Sequence, residues 1–152
     1  MNPQIVATNR EAWANFFILD KLEAGLVLNG SEVKSIRDGK VNLKDAYVRF
    51  LNGEAFVIGM HVNPYSHTQD RAALDPTRTR KLLLKQSEIN HLLGQLNRKG
   101  LTCVPLSLYF KRGIAKLEIG IGQGKKQHDK RETIRKRVQQ REMRQALKRR
   151  SK

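Results

Sequence analysis

Cysteine is almost missing from this chain of 152 residues, where Cys103 stands alone. No disulfide can close within the chain, and no Cys-x-x-Cys pair or His-x-x-x-His run offers a metal site. Cys103 reads as a small buried thiol within a strand. Aromatic residues are scarce at 6%, too few for the several stacking platforms that single-strand-binding barrels use. No apolar run approaches the ~18–20 residues of a membrane span, and the N-terminus lacks the basic-then-apolar order of a secretory signal. These absences fit a reducing cytoplasm, and no membrane is expected as partner, although an anionic membrane surface stands second to nucleic acid as a polyanion.

Acidic residues are also few, with 14 Asp/Glu against 30 Lys/Arg and a net charge of +16. The excess is concentrated at one end. Residues 125–152 hold 13 Lys/Arg against Asp129, Glu132 and Glu142, and only Ile134, Val138, Met143, Ala146 and Leu147 are apolar there. Such a segment repels itself unless a polyanion supplies the counter-charge, and its positive charge exceeds what solubility requires. The division predicts one folded domain over 1–124 and a basic C-terminal tail over 125–152. Thr133 to Arg150 contains no Gly or Pro and favours helix by propensity. Its like charges predict that the tail is disordered when free and becomes helical when a polyanion surrounds it.

Within 1–124 the pattern is mostly that of strands. Residues 15–19 and 24–28 read as two strands separated by Asp20, Lys21 and Glu23. A short helix follows, with Ser31 as N-cap, Val33 and Ile36 on one face and Gly39 as the stop. Tyr47–Leu51, Asn52-Gly53 and Glu54–Ile58 read as a hairpin. Asn-Gly suits a type I′ turn, setting Phe50 against Ala55 and Val48 against Val57. Residues 63–81, with Asn63-Pro64 and Asp75-Pro76, read as a long irregular loop ending in Arg78, Arg80 and Lys81. Ile89, Leu92, Leu93 and Leu96 lie at helical spacing, and Gly100 ends that helix. Val104, Leu106, Leu108 and Phe110 alternate, as do Leu117, Ile119 and Ile121, with Pro105 marking an edge or a bulge. Lys111-Arg112-Gly113 turns between them. Six or so antiparallel strands with two or three helices and no regular strand–helix alternation predict a mainly β fold, a small closed barrel.

Chemistry-bearing constellations are lacking. The four histidines, His61, His67, His91 and His128, occur in unrelated contexts. No phosphate-binding P-loop or Gly-x-Ser-x-Gly elbow is found. Gly120-x-Gly122-x-Gly124 has the wrong spacing for a dinucleotide fingerprint and reads as a strand crossed closely by another. No catalytic residue, metal or cofactor is expected. Lys34, Arg37, Lys40, Lys44, Arg78, Arg80, Lys81 and the tail point instead to structured RNA, read by shape and phosphate. A ribosomal or general RNA-packaging protein would carry the same charge, and an RNA-acting enzyme such as a nuclease is the third reading.

Several blocks together resemble one family. They are Glu23-Ala24-Gly25 with Leu28, Gly30-Ser31-Glu32-Val33-Lys34-Ser35, Gly39-Lys40-Val41-Asn42-Leu43-Lys44-Asp45 with Tyr47, and Gly53-Glu54. Asp75-Pro76-Thr77-Arg78-Thr79-Arg80-Lys81-Leu82-Leu83-Leu84, Gly100, Leu106-Ser107-Leu108-Tyr109 and Gly124-Lys125-Lys126-Gln127-His128-Asp129-Lys130-Arg131-Glu132 follow in order. From about Asn9 to Arg144 the chain resembles the SsrA-binding proteins (small protein B), partners of transfer-messenger RNA (tmRNA). The resemblance implies an oligonucleotide-binding-type (OB-like) barrel that holds the tRNA-like domain of tmRNA. It further implies delivery to the 30S and 70S ribosome stalled without a stop codon, with elongation factor Tu carrying alanyl-tmRNA, and action as a monomer. The tail would lie in the empty mRNA channel while the stalled peptide is tagged.

Carried over residue by residue, Asn9, Glu23 and Leu83 match positions supporting tmRNA binding, with Lys125 and Lys126 beside them. Gly124, His128, Asp129, Lys130 and Arg131 match the stretch used in the decoding centre, and Arg135, Lys136 and Arg137 continue it. The family's His, acid and Tyr before the first strand core are replaced by Ala14, Asn15 and Phe16, so contacts from that His or Tyr hydroxyl are absent. Gln69–Leu74 also departs from the family pattern.

Overall fold

The computed structural model describes residues 4–64, 75–125 and 137–145. Its elements run β1 (Gln4–Thr8), α1 (Arg10–Asn15), β2 (Phe16–Leu26), α2 (Gly30–Arg37), β3 (Val41–Asn42), β4 (Tyr47–Leu51), β5 (Glu54–Ile58) and β6 (His61–Val62). They continue with β7 (Arg80–Leu83), α3 (Gln86–Leu96), β8 (Leu101–Lys111) and β9 (Ile114–Gly124). Residues 137–145 form a further helix, α4. Seven strands build one antiparallel sheet in the order β1-β8-β9-β2-β7-β5-β4, and β3 pairs with β6. The mainly β, OB-like architecture is as expected, but the closed barrel is not. The edges β1 and β4 do not pair with each other; the sheet curls so that β4 packs on β8 without a ladder between them.

The hairpin forms in the register expected, with Phe50 opposite Ala55 and Val48 opposite Val57. Asn52 and Gly53 take φ of 52° and 75°, the left-handed pair that a type I′ turn needs. Elsewhere the expectations need correction. The two strands at 15–28 are one continuous β2 of 11 residues. Its charged middle does not break it because Lys21 and Glu23 point to water, and a bulge between Ile18 and Asp20 restores the register. Asn29, not Ser31, caps α2. Its Oδ1 accepts from Glu32 N at 3.0 Å while Glu32 Oε1 accepts from Asn29 N at 3.0 Å, a reciprocal box. Gly39 stops that helix at φ 75°, and Lys40 N donates back to Ser35 O at 3.0 Å.

The irregular stretch expected over 63–81 ends earlier, because Arg80–Leu83 is strand β7. Residues 65–74, which include the departing Gln69–Leu74, lie outside the described residues. Pro105 sits in an internal strand, where the register between β8 and β9 shifts at Pro105/Ser107. It therefore marks a bulge. β1, α1, β3 and β6 were not expected at all.

The inward faces of β5, β7, β8 and β9 supply Val57, Leu82, Leu108, Leu117, Ile119 and Ile121. Ile36 of α2 and Leu92 of α3 pack onto them. Each such side chain contributes roughly 1.5–3 kcal/mol when removed from water. A smaller cluster of Ala12, Val104 and Leu106, with Phe16 and Ile18, ties α1 to β8. Cys103 is buried, and burial pushes its thiol up to about 12, which leaves it protonated and inert near neutrality. The glycine run is a matter of close approach. A Cβ at Gly120 would lie 3.1 Å from Asp20 O, and one at Gly122 would lie 2.9 Å from Phe16 Cβ.

Candidate nucleic-acid interface

Along β2 the burial alternates, so Phe17, Leu19, Lys21 and Glu23 share the exposed face of the sheet. Gly25 continues that row and pairs with Leu83 of β7. A Cβ at Gly25 would come within 3.1 Å of Leu83 Cβ, so Leu83 leans over the glycine and remains 55% exposed. The sheet thus sets two predicted residues, Glu23 and Leu83, on one face of neighbouring strands, offset by two residues in register. A leucine held this open contributes little to the core.

Glu23 is tied down by two residues whose role the sequence did not indicate. Tyr109 Oη donates to Glu23 Oε2 at 2.5 Å, and Lys111 Nζ lies 3.6 Å from the same oxygen. The Tyr109 hydrogen bond holds the carboxyl below its ordinary range; burial works the other way, and Lys111 and Lys116 add to the lowering. Burial and then Glu23 itself push the Tyr109 phenol up. Both contacts fall on Oε2, so Oε1 has no protein partner among the described residues. An ionised carboxylate with one oxygen committed and one open can accept from a base or a 2′-hydroxyl.

Asn9 is placed differently. It is only 6% exposed, and its Nδ2 donates to Pro105 O at 2.8 Å and Leu43 O at 3.4 Å. Its Oδ1 accepts from Ala12 N at 3.3 Å, capping α1. Asn9 therefore lies behind the surface and caps α1, which carries Ala14 and Asn15 and leads into Phe16. At the far end of β2, Gly124 pairs with Phe16. Lys125 N donates to Asn15 O at 2.8 Å, and Lys125 Nζ stands 4.9 Å from the Phe17 ring centroid.

Of the tail positions, Lys126, His128, Asp129, Lys130, Arg131, Arg135 and Lys136 lie outside the described residues. Arg137 lies in α4, whose described residues are all exposed. Arg137, Arg141 and Arg144 fall at i, i+4 and i+7, so α4 carries one basic stripe.

Two basic residues expected to face RNA do not do so freely. Arg80 is 0% exposed. Its Nε donates to Glu32 Oε2 at 2.5 Å, and its remaining nitrogens donate to the carbonyls of Met60, Arg78 and Pro76. Arg78 donates to Glu32 Oε1 at 2.6 Å. Both arginines are thus committed to a carboxylate, because period-2 alternation turns Arg80 inward. Among the described residues no group of three His, Cys, Asp or Glu could hold a metal ion, and no helix is long and apolar enough to cross a membrane.

Comparison with known proteins places this arrangement among relatives. A model of the family described as SmpB protein matches residues 6–149. The SsrA-binding protein of Geobacter sulfurreducens is 49% identical over 152 residues, spanning 100% of this chain and 99% of its own. That of Nitratiruptor sp. is 52% identical over 146 residues, spanning 95% and 97%. A solved structure described as "tmRNA-SmpB: a journey to the center of the bacterial ribosome" superposes with a TM-score of 0.68 at 42% identity. The match covers 85% of this chain and 94% of that one.

Proposed function

The chain belongs to the SmpB protein family, and on that footing we propose that it binds the tRNA-like domain of tmRNA and carries it to stalled ribosomes for trans-translation. The observation that carries the site reading is that Glu23 and Leu83 share one exposed face, Leu83 pairing with Gly25 two residues along β2 from Glu23. Glu23 Oε1 accepts from the RNA, Leu83 packs against a sugar or base, and Asn9 holds the adjoining segment in place. Lys125 and Lys126 neutralise phosphates where the tail departs. Gly124, His128, Asp129, Lys130, Arg131, Arg135, Lys136 and Arg137 meet the decoding centre, and the rest of 125–152 follows the vacant mRNA channel. Each role is one of binding, with no catalytic step.

The test is binding of the tRNA-like domain against an unrelated folded RNA of equal length. It uses the full chain and a truncation after Arg131 at ~200 mM salt, where purely electrostatic binding has weakened by orders of magnitude. Both proteins should prefer the tRNA-like domain by at least ~100-fold, about 2.7 kcal/mol. Glu23→Gln and Leu83→Ala should both erode that preference, Leu83→Ala with unchanged melting, since its side chain is 55% exposed. A preference that vanishes, or that disappears with the tail, makes this a charge-driven RNA binder and overturns the site.

A further inference from the structure

Trp13 is 43% exposed and Phe17 45% exposed, with Leu19, on the same face of β2 as Phe17, at 54%. Rings of this size normally go inward, because burying one is worth more than almost any other side chain. Here each ring is met by an ammonium instead. Lys21 Nζ stands 5.6 Å from the Trp13 centroid and Lys125 Nζ 4.9 Å from that of Phe17, within the range of cation–π attraction.

These two lysines differ from their neighbours in one respect. Lys44, Lys81 and Lys111 each have a carboxylate within 4 Å, namely Glu11, Glu54 and Glu23. Lys21 and Lys125 have none among the described residues. Two acids close by in sequence are already engaged. Glu11 faces Lys44, and Asp20 takes the Lys21 backbone N–H and His91 Nε2. The patch is therefore apolar and positive at once, which suits neither a core nor a neutral partner.

We propose that Trp13 and Phe17, flanked by Lys21 and Lys125, form a stacking site for an unpaired base of the bound RNA, with the adjoining phosphates on the two lysines. The proposal rests on the RNA-binding reading above and names a contact within it. Every base offers a π-face, so such a site recognises looped-out nucleotides without choosing among them. The placement suits this role. Phe17, Lys21 and Glu23 share one face of β2, and Lys125 is fixed to the end of α1 through Asn15 O. A nucleotide held there lies on the same face as Glu23 and at the root of the basic tail. Ala14 and Phe16 remove the His and the Tyr hydroxyl that the family resemblance leads one to expect in this segment, and Trp13 supplies an aromatic surface beside them.

Trp13 is the chain's only tryptophan, so its emission reports on this one position. The full chain would be titrated with the tRNA-like domain of tmRNA while Trp13 fluorescence and the anisotropy of labelled RNA are followed together. Quenching should track binding. Trp13→Ala should weaken binding by about tenfold to a hundredfold with its melting curve unchanged, and Trp13→Phe should recover most of the loss. Inorganic polyphosphate, which has charge but no bases, should leave the emission nearly unaltered. Selective RNA binding with unaltered emission and a fully active Trp13→Ala would overturn the stacking site and leave the RNA-binding reading standing, pointing to a protein partner for the patch. Quenching by polyphosphate equal to that by RNA would also overturn it, since the site would then read charge alone. Absence of any selective RNA binding defeats the underlying reading itself.

Discussion

The phenol of Tyr109 reaches over the whole width of β9 to donate a 2.5 Å hydrogen bond to Glu23 Oε2 on β2. Opposite Glu23 on that intervening strand stands Glu118, while burial is what works against the ionised Glu23 carboxylate. The bond fixes one carboxylate oxygen and keeps the group charged.

Tyr109→Phe removes the largest influence lowering the Glu23 carboxyl. In the wild type its midpoint, followed by NMR titration, should lie below the ordinary 4.5; in the variant it should move up. A group lowered on folding contributes stability that is complete above its unfolded value and is lost as pH falls through its folded value. The wild type should accordingly lose more stability than the variant on acidification below about pH 4.5. RNA affinity should drop by roughly tenfold, about 1.4 kcal/mol, as Glu23 loses its fixed orientation. An unmoved Glu23 midpoint would contradict this account.

Glu32 is the counterpart in the interior. Burial pushes its carboxyl up, yet the hydrogen bonds from Arg78 and Asn29 N and the charge of Arg80 outweigh burial and hold it low. Glu32→Gln leaves the fully buried Arg80 without its counter-charge, which should cost about 3–5 kcal/mol in urea denaturation. The same lowered carboxyl makes the wild type lose this stabilisation as pH falls below the ordinary carboxylate range. Because the Glu32–Arg80 pair lies away from the β2 face, the folded fraction of Glu32→Gln should still bind RNA.

Gly122→Ala places a methyl 2.9 Å from Phe16 Cβ, whereas Gly124→Ala meets nothing within 4 Å. The first should destabilise by about 1–3 kcal/mol and the second should be close to neutral. Thermal melts of the pair check this; equal effects would mean that the β2–β9 contact is looser than described.

A peptide of residues 125–152 tests the tail. Residues 125–152 carry 13 Lys/Arg against three acids, and like charges crowded on one short segment oppose an isolated helix in water. The peptide's circular dichroism should show little helix in dilute buffer and a marked gain on adding RNA, reversed by salt. Full helicity without RNA would show that the tail needs no polyanion to order.

Much of this architecture was legible because local chemistry and tertiary packing agree. Asn52-Gly53 fixes the β4–β5 register, and Ile89 and Leu92 mark the buried side of α3. Legibility failed where long-range packing overrides a local signal. β7 begins with an arginine that turns inward, which no periodicity of apolar residues can reveal; Glu32, 48 residues away, explains it. The charged centre of β2 looks like a break until its wet face is known. At the interface, Glu23 and Leu83 entered through family resemblance, since an exposed strand carboxylate and a leucine carry no signal alone. The reach of Tyr109 and Lys111 to Glu23 depends on strand order, and strand order is not written in any short segment.

The hydrogen bonds of Asn9 carry a kinetic consequence. Its amide joins chain segments 96 and 34 residues distant in sequence, and its backbone N–H caps the bulged stretch of β8 at Leu106 O. Contacts that close such long loops form late, after the hairpins have settled. The segment holding Trp13 should then lock late and loosen early. Native-state exchange should find the amides of α1 opening well before those of the β8–β9 ladder, so that the domain meets its RNA with a stiff sheet and one yielding margin.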